Sequence, residues 1–442
     1  LSSPTYCHEA AAALKEAGAP VLPALENAFH KAGQTDQVML KIVQIMGSIG
    51  SEEGFTLLWK KADYPDKRIV KQILFSLRYR NYQARGREAT IVKDLLDAEM
   101  SKTLWNLAAI EELPNEEPFL ILRQALTEET RENYDQITLL LSLIYDPQSV
   151  QLVRENLLTA TPDSIQYALE LLDLFLDKDL KPKLIPLLDD TRTTDKIDAL
   201  QVYFPREQYN PVQVINYVLN RDFNFNNRWS KACAVHLAAY LPDFRVSRGL
   251  VSQLFNQDKL LQETAAWVIY NKDKNAYQAI ADRLPNKDKK FLDSSIANNQ
   301  LLDGLDDGFF LLIEIVFFLQ QIPAFGLIPG NFLSELADKI QPVDIQSGAK
   351  MIAANTDDNP ILIVAHGSVD VTLASGEKLT LKKGDVYGDI FSDGPITPVD
   401  ETVARERTVV FKLNLSDFYF VMANHYEMVQ GFLKNRIKTT TL

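Results

Sequence analysis

The segment 359–373 reads NPILIVAHGSVDVTL, and after a short turn the segment 379–390 reads LTLKKGDVYGDI. Apolar and polar residues alternate along these segments, and glycines stand at the corners between them. Alternation with a period of two is typical of strands with one buried face. The pattern therefore predicts successive strands of a small closed β-structure. The corners, where tight turns call for positive φ, are predicted at Gly367, Gly376, Gly384 and Gly388.

The composition is that of a soluble globular protein with more than one domain. A chain of 442 residues is too long for one small core, and 46% hydrophobic and 24% charged residues are ordinary values. The net charge of -13 argues against nucleic-acid binding, which requires a basic surface. We therefore expect no nucleic acid among the partners.

Cysteine and histidine usage indicates neither a disulfide framework nor a metal site. Cys7 and Cys233 lie far apart and are predicted to be reduced thiols, as in a cytoplasmic protein. The histidines form no HExxH or paired spacing, and the sequence has no P-loop, dinucleotide fingerprint or nucleophile elbow. We expect no cofactor and no enzymatic activity.

Residues 1–308 form a series of amphipathic segments of about 10 to 15 residues, separated by short polar breaks. Examples are QVMLKIVQIM at 37–46 and IVKQILFSL at 69–77, which align at a shift of about 30 residues. Recurrence at this period resembles degenerate HEAT-type repeats and implies an α-solenoid that binds a protein partner on its surface. The alternative is a helical domain without repeats.

A strongly apolar run at 309–319 is too short to span a membrane, which needs about 20 residues, and predicts a buried helix. From here to residue 436 the chain resembles the cyclic-nucleotide-binding domain family. The resemblance rests on two short helical segments, a first strand pair at 343–352 with its turn at Gly348, the strands quoted above, and VVFKLNLSDF at 409–418. It implies lead-in helices at 309–340, a β-barrel or jelly roll at 343–415 and a closing helix at 416–436.

In that family a phosphate-binding cassette follows a Phe-Gly-Glu corner, where the Glu holds the ribose and a later Arg pairs with the phosphate. Asp replaces the Glu here, and the Arg position falls on Pro398 or Val399, neither of which supplies a cation. A register shift could instead bring Arg405 inward; the alternative is that Arg405 and Arg407 are solvated on one face of a strand. The candidate ligand-binding residues are Tyr387, Gly388, Asp389, Ile390, Pro398, Val399 and Arg405.

The sequence thus predicts a multidomain α + β protein with a helical solenoid followed by a barrel that has lost nucleotide binding. We expect a non-enzymatic regulatory or scaffold protein; the alternative is a sensor in which a nucleotide or small ligand in the barrel gates the solenoid. The domain order resembles the soluble part of bacterial ATP/ADP-translocase-type transporters and implies a preceding membrane domain and a place at its cytosolic face. Deleting 309–442 is expected to leave a folded helical array.

Overall fold

The structure is a computed structural model that describes residues 1, 6–297, 311–351, 360–373, 375–388 and 399–424. The chain divides into two compact units, Leu1–Asn227 and Arg228–Leu442. The boundary that we expect after residue 308 falls inside the second unit, beside residues that lie outside the described part. That boundary stays a prediction.

The named elements of the first unit are helices, and its described residues also include one isolated bridge between Asp66 and Phe223. Its helices are α1 (Cys7–Ala17), a 3₁₀ turn (Ala19–Val21), α2 (Leu22–Phe29), α3 (Asp36–Ile49), α4 (Glu52–Trp59), α5 (Lys67–Tyr79), α6 (Arg87–Glu112), α7 (Leu120–Ile144), α8 (Pro147–Thr159), α9 (Pro162–Phe175), α10 (Lys181–Leu188), α11 (Thr193–Leu200) and α12 (Pro211–Asn220). Many begin at a side chain that caps the first backbone amides. Thr161 with Ser164, and Asn210 with Gln213, form reciprocal capping boxes, each followed by proline at the first helical position.

Helix length departs from the sequence expectation in the middle of this unit. Helices α6 and α7 have 26 and 25 residues instead of 10 to 15, and they pack against each other. Leu40 and Val43 align with Val70 and Ile73 in the 30-residue shift. Val43, Val70 and Ile73 are buried in the core, and Leu40 packs against it partly buried. The apolar periodicity therefore identifies core positions correctly, while the HEAT-like solenoid architecture stays a prediction.

A buried polar seam runs between α6 and α7. Its members are Glu99, Lys102, Thr103 and Asn106 on α6 and Glu129, Asn133 and Gln136 on α7. Lys102 Nζ lies 2.6 Å from Glu99 Oε1, to which Gln136 Nε2 also donates at 3.3 Å. Both side-chain polar atoms of Asn106 lack a hydrogen-bond partner among the described residues. Since unsatisfied buried polar groups cost free energy, the seam is a costly part of this core.

In the second unit, helices precede two antiparallel sheets, which confirms the α + β fold class in its coarse form. The helices are α13 (Arg228–Ala238), α14 (Arg248–Leu254), α15 (Lys259–Lys272), α16 (Lys274–Ala281), α17 (Asn286–Ala297), α18 (Leu312–Gln321), α19 (Gly330–Ala337) and α20 (Leu415–Asn424). The strands are β1 (Gln341–Ile345), β2 (Lys350–Met351), β3 (Ile361–His366), β4 (Ser368–Leu373), β5 (Lys378–Lys382), β6 (Val386–Tyr387), β7 (Val399–Ala404) and β8 (Thr408–Leu413).

The apolar run at 309–319 contributes helix α18, whose inward side chains are buried, as predicted. Across the part of the chain that the structure describes, no helix combines the length and the apolarity that crossing a bilayer requires. The closing helix is described as α20, and the rest of the predicted range 416–436 lies outside the described residues.

The two sheets have strand orders β1-β8-β3-β6 and β2-β7-β4-β5. The expectation of a first strand pair around Gly348 is wrong in one respect: β1 pairs with β8 and β2 pairs with β7, so the two strands belong to different sheets. The turn at Gly348 therefore carries the chain from one sheet to the other.

The barrel core lies between the two sheets. One apolar cluster joins Val364 of β3 to Val371 of β4 and Leu381 of β5, and a second joins Leu362 of β3 to Val410 of β8. Strand β4 shows the predicted alternation of buried and less buried residues, but β3 is buried at five successive positions. A strand without alternation is covered on both faces. The lead-in helix α18 packs on the neighbouring strand β8 through Phe318 and Phe411.

Candidate functional site

The corner at which the family resemblance places a ligand lies at the end of β6. Tyr387 pairs with Leu362 of β3, and its half-buried side chain packs against both apolar clusters of the barrel. Burial, followed by the charge of Glu377, raises the pKa of the Tyr387 hydroxyl. This hydroxyl is therefore a neutral donor at physiological pH.

Gly388 is required here by close packing, which corrects the expectation of positive φ. Gly367, Gly376 and Gly384 do have positive φ, but Gly388 is not among the positive-φ glycines of the described residues. A Cβ at Gly388 would lie 2.9 Å from Cγ1 and 3.1 Å from Cα of Ile361. The end of β6 thus approaches β3 so closely that a side chain at position 388 would require Ile361 to shift.

The remainder of the candidate cassette is only partly visible. Asp389, Ile390 and Pro398 lie outside the described residues. Val399 begins β7, where its backbone pairs with Leu373 of β4. Of the candidate residues, the structure therefore describes Tyr387, Gly388, Val399 and Arg405, and the cassette stays a sequence prediction.

Arg405 lies on the outer face of the barrel. Its Nε is 2.9 Å from both carboxylate oxygens of Asp370, and 57% of its side chain is exposed. Along β4 the buried residues are Val369 and Val371, so Asp370 points away from the interior. In this structure the guanidinium of Arg405 is consequently turned away from the apolar core between the sheets.

Arg405 and Arg407 also differ from the expectation that they share one face of a strand. They lie in the bend between β7 and β8 and reach opposite sheets: Arg405 pairs with Asp370 of β4, and Arg407 Nη2 lies 2.8 Å from Asp344 of β1. Ion pairs this exposed contribute about 0–1 kcal/mol each. Each arginine thus holds the bend weakly to the sheet on its own side.

The lead-in helix α18 connects the barrel to the preceding helices through two adjacent phenylalanines. Phe318 meets Phe411 of β8 edge to face, with ring centroids 5.7 Å apart. Phe317 meets Trp229 at 5.7 Å and His236 at 5.2 Å, both on α13 and both also edge to face. Successive helical residues point in different directions, so α18 contacts the sheet with one side and α13 with another.

We call the contact of α13 and α15 with α18 and α19 the helical joint. At its centre the indole of Trp229 is only 2% exposed and lies against the backbone of Gly330, the first residue of α19. His236 stacks on Trp267 at 5.7 Å, and burial lowers its pKa to about 4. The aromatic centre of the joint is therefore uncharged at physiological pH.

An arginine between two aspartates joins three helix ends at the edge of the joint. The Arg228 guanidinium, on α13, lies 2.9 Å from Asp258 at the start of α15 and 2.5 Å from Asp338 at the end of α19. Burial alone would lower the pKa of Arg228, but the two carboxylates outweigh burial and raise it. Arg228 is buried, so loss of an aspartate takes a partner from a buried charge, but Asp338 is exposed, and its removal should cost less than the about 3–5 kcal/mol of a fully buried pair.

Glu263 of α15 holds the first turn of α18. Its Oε2 accepts a hydrogen bond from the backbone amide of Leu312 at 3.1 Å, and the residue is 5% exposed. Desolvation raises the pKa of Glu263 to about 7, with Asp338 and Glu314 adding to the rise while the amide of Leu312 and Lys259 oppose it. The joint therefore contains a carboxyl group that titrates near neutral pH.

The sequence indicates one aromatic residue of this joint but not the contacts that the residue makes. The segment 222–229 suggests aromatic anchors for a partner, with packing between repeats as the alternative; the structure shows Trp229 in packing. Nothing local in the sequence links Arg228 to Asp338, which is 110 positions away. Gly330, directly before Asn331-Phe332, is the one local signal of the joint, because glycine at a helix start can mark the close approach of another element.

A scan of the chain against models of known protein families found no match. Among solved structures, the sensor domain of the transcriptional regulator DNR from Pseudomonas aeruginosa is 15% identical, with 28% of this chain and 86% of that chain covered and a TM-score of 0.24. A cyclic nucleotide-binding-like protein from Brucella abortus is 16% identical, with 25% and 98% covered and a TM-score of 0.21.

A regulatory subunit of a cAMP-independent protein kinase A from Trypanosoma cruzi, solved with guanosine, is 20% identical. The match covers 29% of this chain but only 51% of that one, with a TM-score of 0.23. Likeness at these identities and TM-scores carries no argument about ligand or activity. The fold of the C-terminal part is established by the strands and helices described above.

Proposed function

We propose that this protein is a non-enzymatic regulatory scaffold in which a cyclic-nucleotide-binding-like barrel is coupled to a partner-binding helical array. The observation that carries the proposal is the position of α18. Phe318 touches the barrel at Phe411, and its neighbour Phe317 touches α13 at Trp229. A change at the barrel that moves α18 must therefore also disturb α13.

We further propose that the barrel has lost cyclic-nucleotide binding and serves in protein contact. Pro398 or Val399 stands where the family resemblance calls for an arginine. Arg405 is engaged by Asp370 on the outer face, which supports this reading, because recruiting it would first require breaking that ion pair. A cyclic phosphate without a paired cation would lose a charge-assisted hydrogen bond of about 1.5–3 kcal/mol.

The array supplies the partner surface in this proposal, as HEAT-like repeats do. The domain order adds the finer proposal that the chain works at the cytosolic face of a transporter, next to a membrane domain. Sensing of a nucleotide or small ligand by the barrel is the competing function. A nucleotide sensor would give saturable heat when the chain is titrated with a cyclic nucleotide.

The test is calorimetric titration of the whole chain with cyclic AMP and cyclic GMP up to about 5 mM, with Val399→Arg as a matched gain variant. The proposal predicts no saturable heat for the native chain. Binding of the native chain tighter than about 100 μM, which corresponds to roughly -5.5 kcal/mol, would replace the docking function with the sensor. Binding by Val399→Arg alone would identify the missing cation as the reason for the loss.

A further inference from the structure

The first unit contains a donor-lined cavity that is independent of the barrel and of the function proposed for it. The cavity measures about 410 Å³ and lies between α6, α12 and the segment 204–209. Its polar lining consists mostly of hydrogen-bond donors. The polar side chains that matter here are Trp105, Arg206, Glu207, Tyr209, Tyr217 and Arg221.

Two N–H groups in this lining have no acceptor among the described residues. One is Nε1 of Trp105, a residue that is only 5% exposed. The other is Nε of Arg206, whose side chain is 12% exposed. Buried donors are nearly always paired in folded proteins, so an orphaned pair in one cavity indicates an acceptor that binds there. Glu112 accepts from Arg206 Nη2 at 2.7 Å and from the amide of Tyr209 at 2.9 Å, and neither of the two unpaired N–H groups bonds to it.

Aromatic rings hold the cations of the cavity in place. The Arg221 guanidinium lies 4.0 Å from the ring centroid of Tyr217 and 4.7 Å from that of Phe225. Tyr217 in turn stacks on Trp105, with centroids 4.4 Å apart and planes inclined by 14°. Arg206 lies 5.6 Å from the centroid of Tyr209. Arg221 Nη2 also donates to the Tyr217 hydroxyl. Because a guanidinium group carries five N–H donors, each arginine can bind an oxygen acceptor in addition to its present partners.

We propose that this cavity binds an oxyanion, either a phosphate or a carboxylate group, between Arg206 and Arg221. The bound oxygens accept hydrogen bonds from the guanidinium groups and the tyrosine hydroxyls, and Trp105, whose N–H has no acceptor among the described residues, lines the same cavity. Glu207 is the carboxylate of the lining and opposes the anion. Because Glu207 is exposed, its charge is screened and weakens binding without preventing it.

The experiment titrates the whole chain with inorganic phosphate and, separately, with citrate, at constant ionic strength, by calorimetry. Arg221→Gln should weaken binding about 10-fold or more, the loss expected for one charge-assisted hydrogen bond. Glu207→Gln should tighten it. Arg192→Gln, at an exposed arginine paired with Asp195, is the matched control and should bind like the native chain.

Phosphate binding without citrate binding assigns the site to phosphate groups, and the reverse assigns it to carboxylates. The proposal is overturned if neither anion gives saturable heat up to about 20 mM, which means a binding free energy weaker than about -2.5 kcal/mol. Equal affinities of the native chain and Arg221→Gln overturn it as well. Circular dichroism of Arg221→Gln and Glu207→Gln excludes loss of folding as the cause, and no outcome depends on cyclic-nucleotide binding by the barrel.

Discussion

Trp229 and Gly330 are in contact across the helical joint so closely that no side chain fits at position 330. A Cβ built on Gly330 would overlap the indole nitrogen of Trp229 and two neighbouring ring atoms. The indole is 2% exposed and is also held by Phe317. A single methyl group at Gly330 must therefore push α19 away from α13.

We expect Gly330→Ala to destabilise the second unit by about 1–3 kcal/mol, the usual cost of overpacking a filled core. The measurement is chemical unfolding of the whole chain followed by hydrogen exchange of peptides from α13 and α19. Exchange should accelerate in both helices, while peptides from α6 and α7 in the first unit should keep their native rates.

The double variant Gly330→Ala, Trp229→Phe supplies the control, because the smaller ring leaves room for the added methyl group. Its free energy of unfolding should fall by less than the sum of the two single effects. Strict additivity would mean that the indole does not cause the cost of Gly330→Ala.

Glu263 makes the joint sensitive to pH. Its pKa is raised to about 7 in the folded protein from 4.5, so between these values the folded state holds a proton that the unfolded state has lost. The free energy of unfolding should therefore fall by about 1–3 kcal/mol as pH rises from about 4.5 to 7, and this contribution should level off above pH 7. Hydrogen exchange of peptides from α18, corrected for intrinsic rates, measures the effect locally.

Glu263→Gln keeps an acceptor for the amide of Leu312 but cannot ionise, so this pH dependence of α18 should disappear. Glu53→Gln, at an exposed position in the first unit, is the matched control and should retain it. If α18 in Glu263→Gln still loosens between pH 5 and 7, another group carries the dependence.

The sequence predicts the barrel better than the helical joint, and the reason is the range of the signal. The alternation in 368–373 and the glycines at 367, 376 and 384 are local, and both patterns survive in the structure. The continuous apolar run of β3 is also a local signal. It indicates burial on both faces, whereas the prediction assumed alternation along every strand. By contrast, pairing of β1 with β8 joins distant segments and leaves no periodic trace.

The candidate site shows the same division. The corner motif places Tyr387 and Gly388 at a strand end, which is where β6 ends, but their role in ligand binding stays a prediction. The direction of Arg405 depends on which face of β4 carries Asp370 and on the bend after β7, so sequence spacing alone could not determine it. Arg228 meets Asp258 and Asp338 through tertiary packing, which one sequence does not record.

The polar seam between α6 and α7 offers a stabilising substitution. Asn106 is fully buried, and neither polar atom of its side chain has a partner within the described residues. Asn106→Leu replaces the amide by an apolar group of similar size and should raise the free energy of unfolding by about 1–3 kcal/mol. Thermal unfolding measures the gain; a loss of stability would instead indicate that an internal water satisfies the amide. Asn156→Leu, at a partly exposed amide on α8 that donates to the carbonyl of Leu152, is the control and should not raise the free energy of unfolding.

The helical joint limits where the chain can be truncated without loss of folding. The sequence suggests that residues 1–308 fold without the barrel, but in the structure α18 and α19 cover Trp229, and Asp338 pairs with Arg228. A fragment ending at residue 308 would expose that indole and leave the buried arginine with one carboxylate instead of two, at a cost of several kcal/mol.

We therefore expect a fragment 1–227 to unfold cooperatively, because it contains one complete compact unit. In a fragment 1–308, the peptides of α13 and α15 should exchange their amide hydrogens much faster than in the whole chain, while those of α6 and α7 should not. Hydrogen exchange followed by mass spectrometry distinguishes the two sets of helices in one experiment. Native protection of α13 in the fragment 1–308 would mean that the joint does not stabilise the array, and it would remove the structural basis for coupling the barrel to the helices.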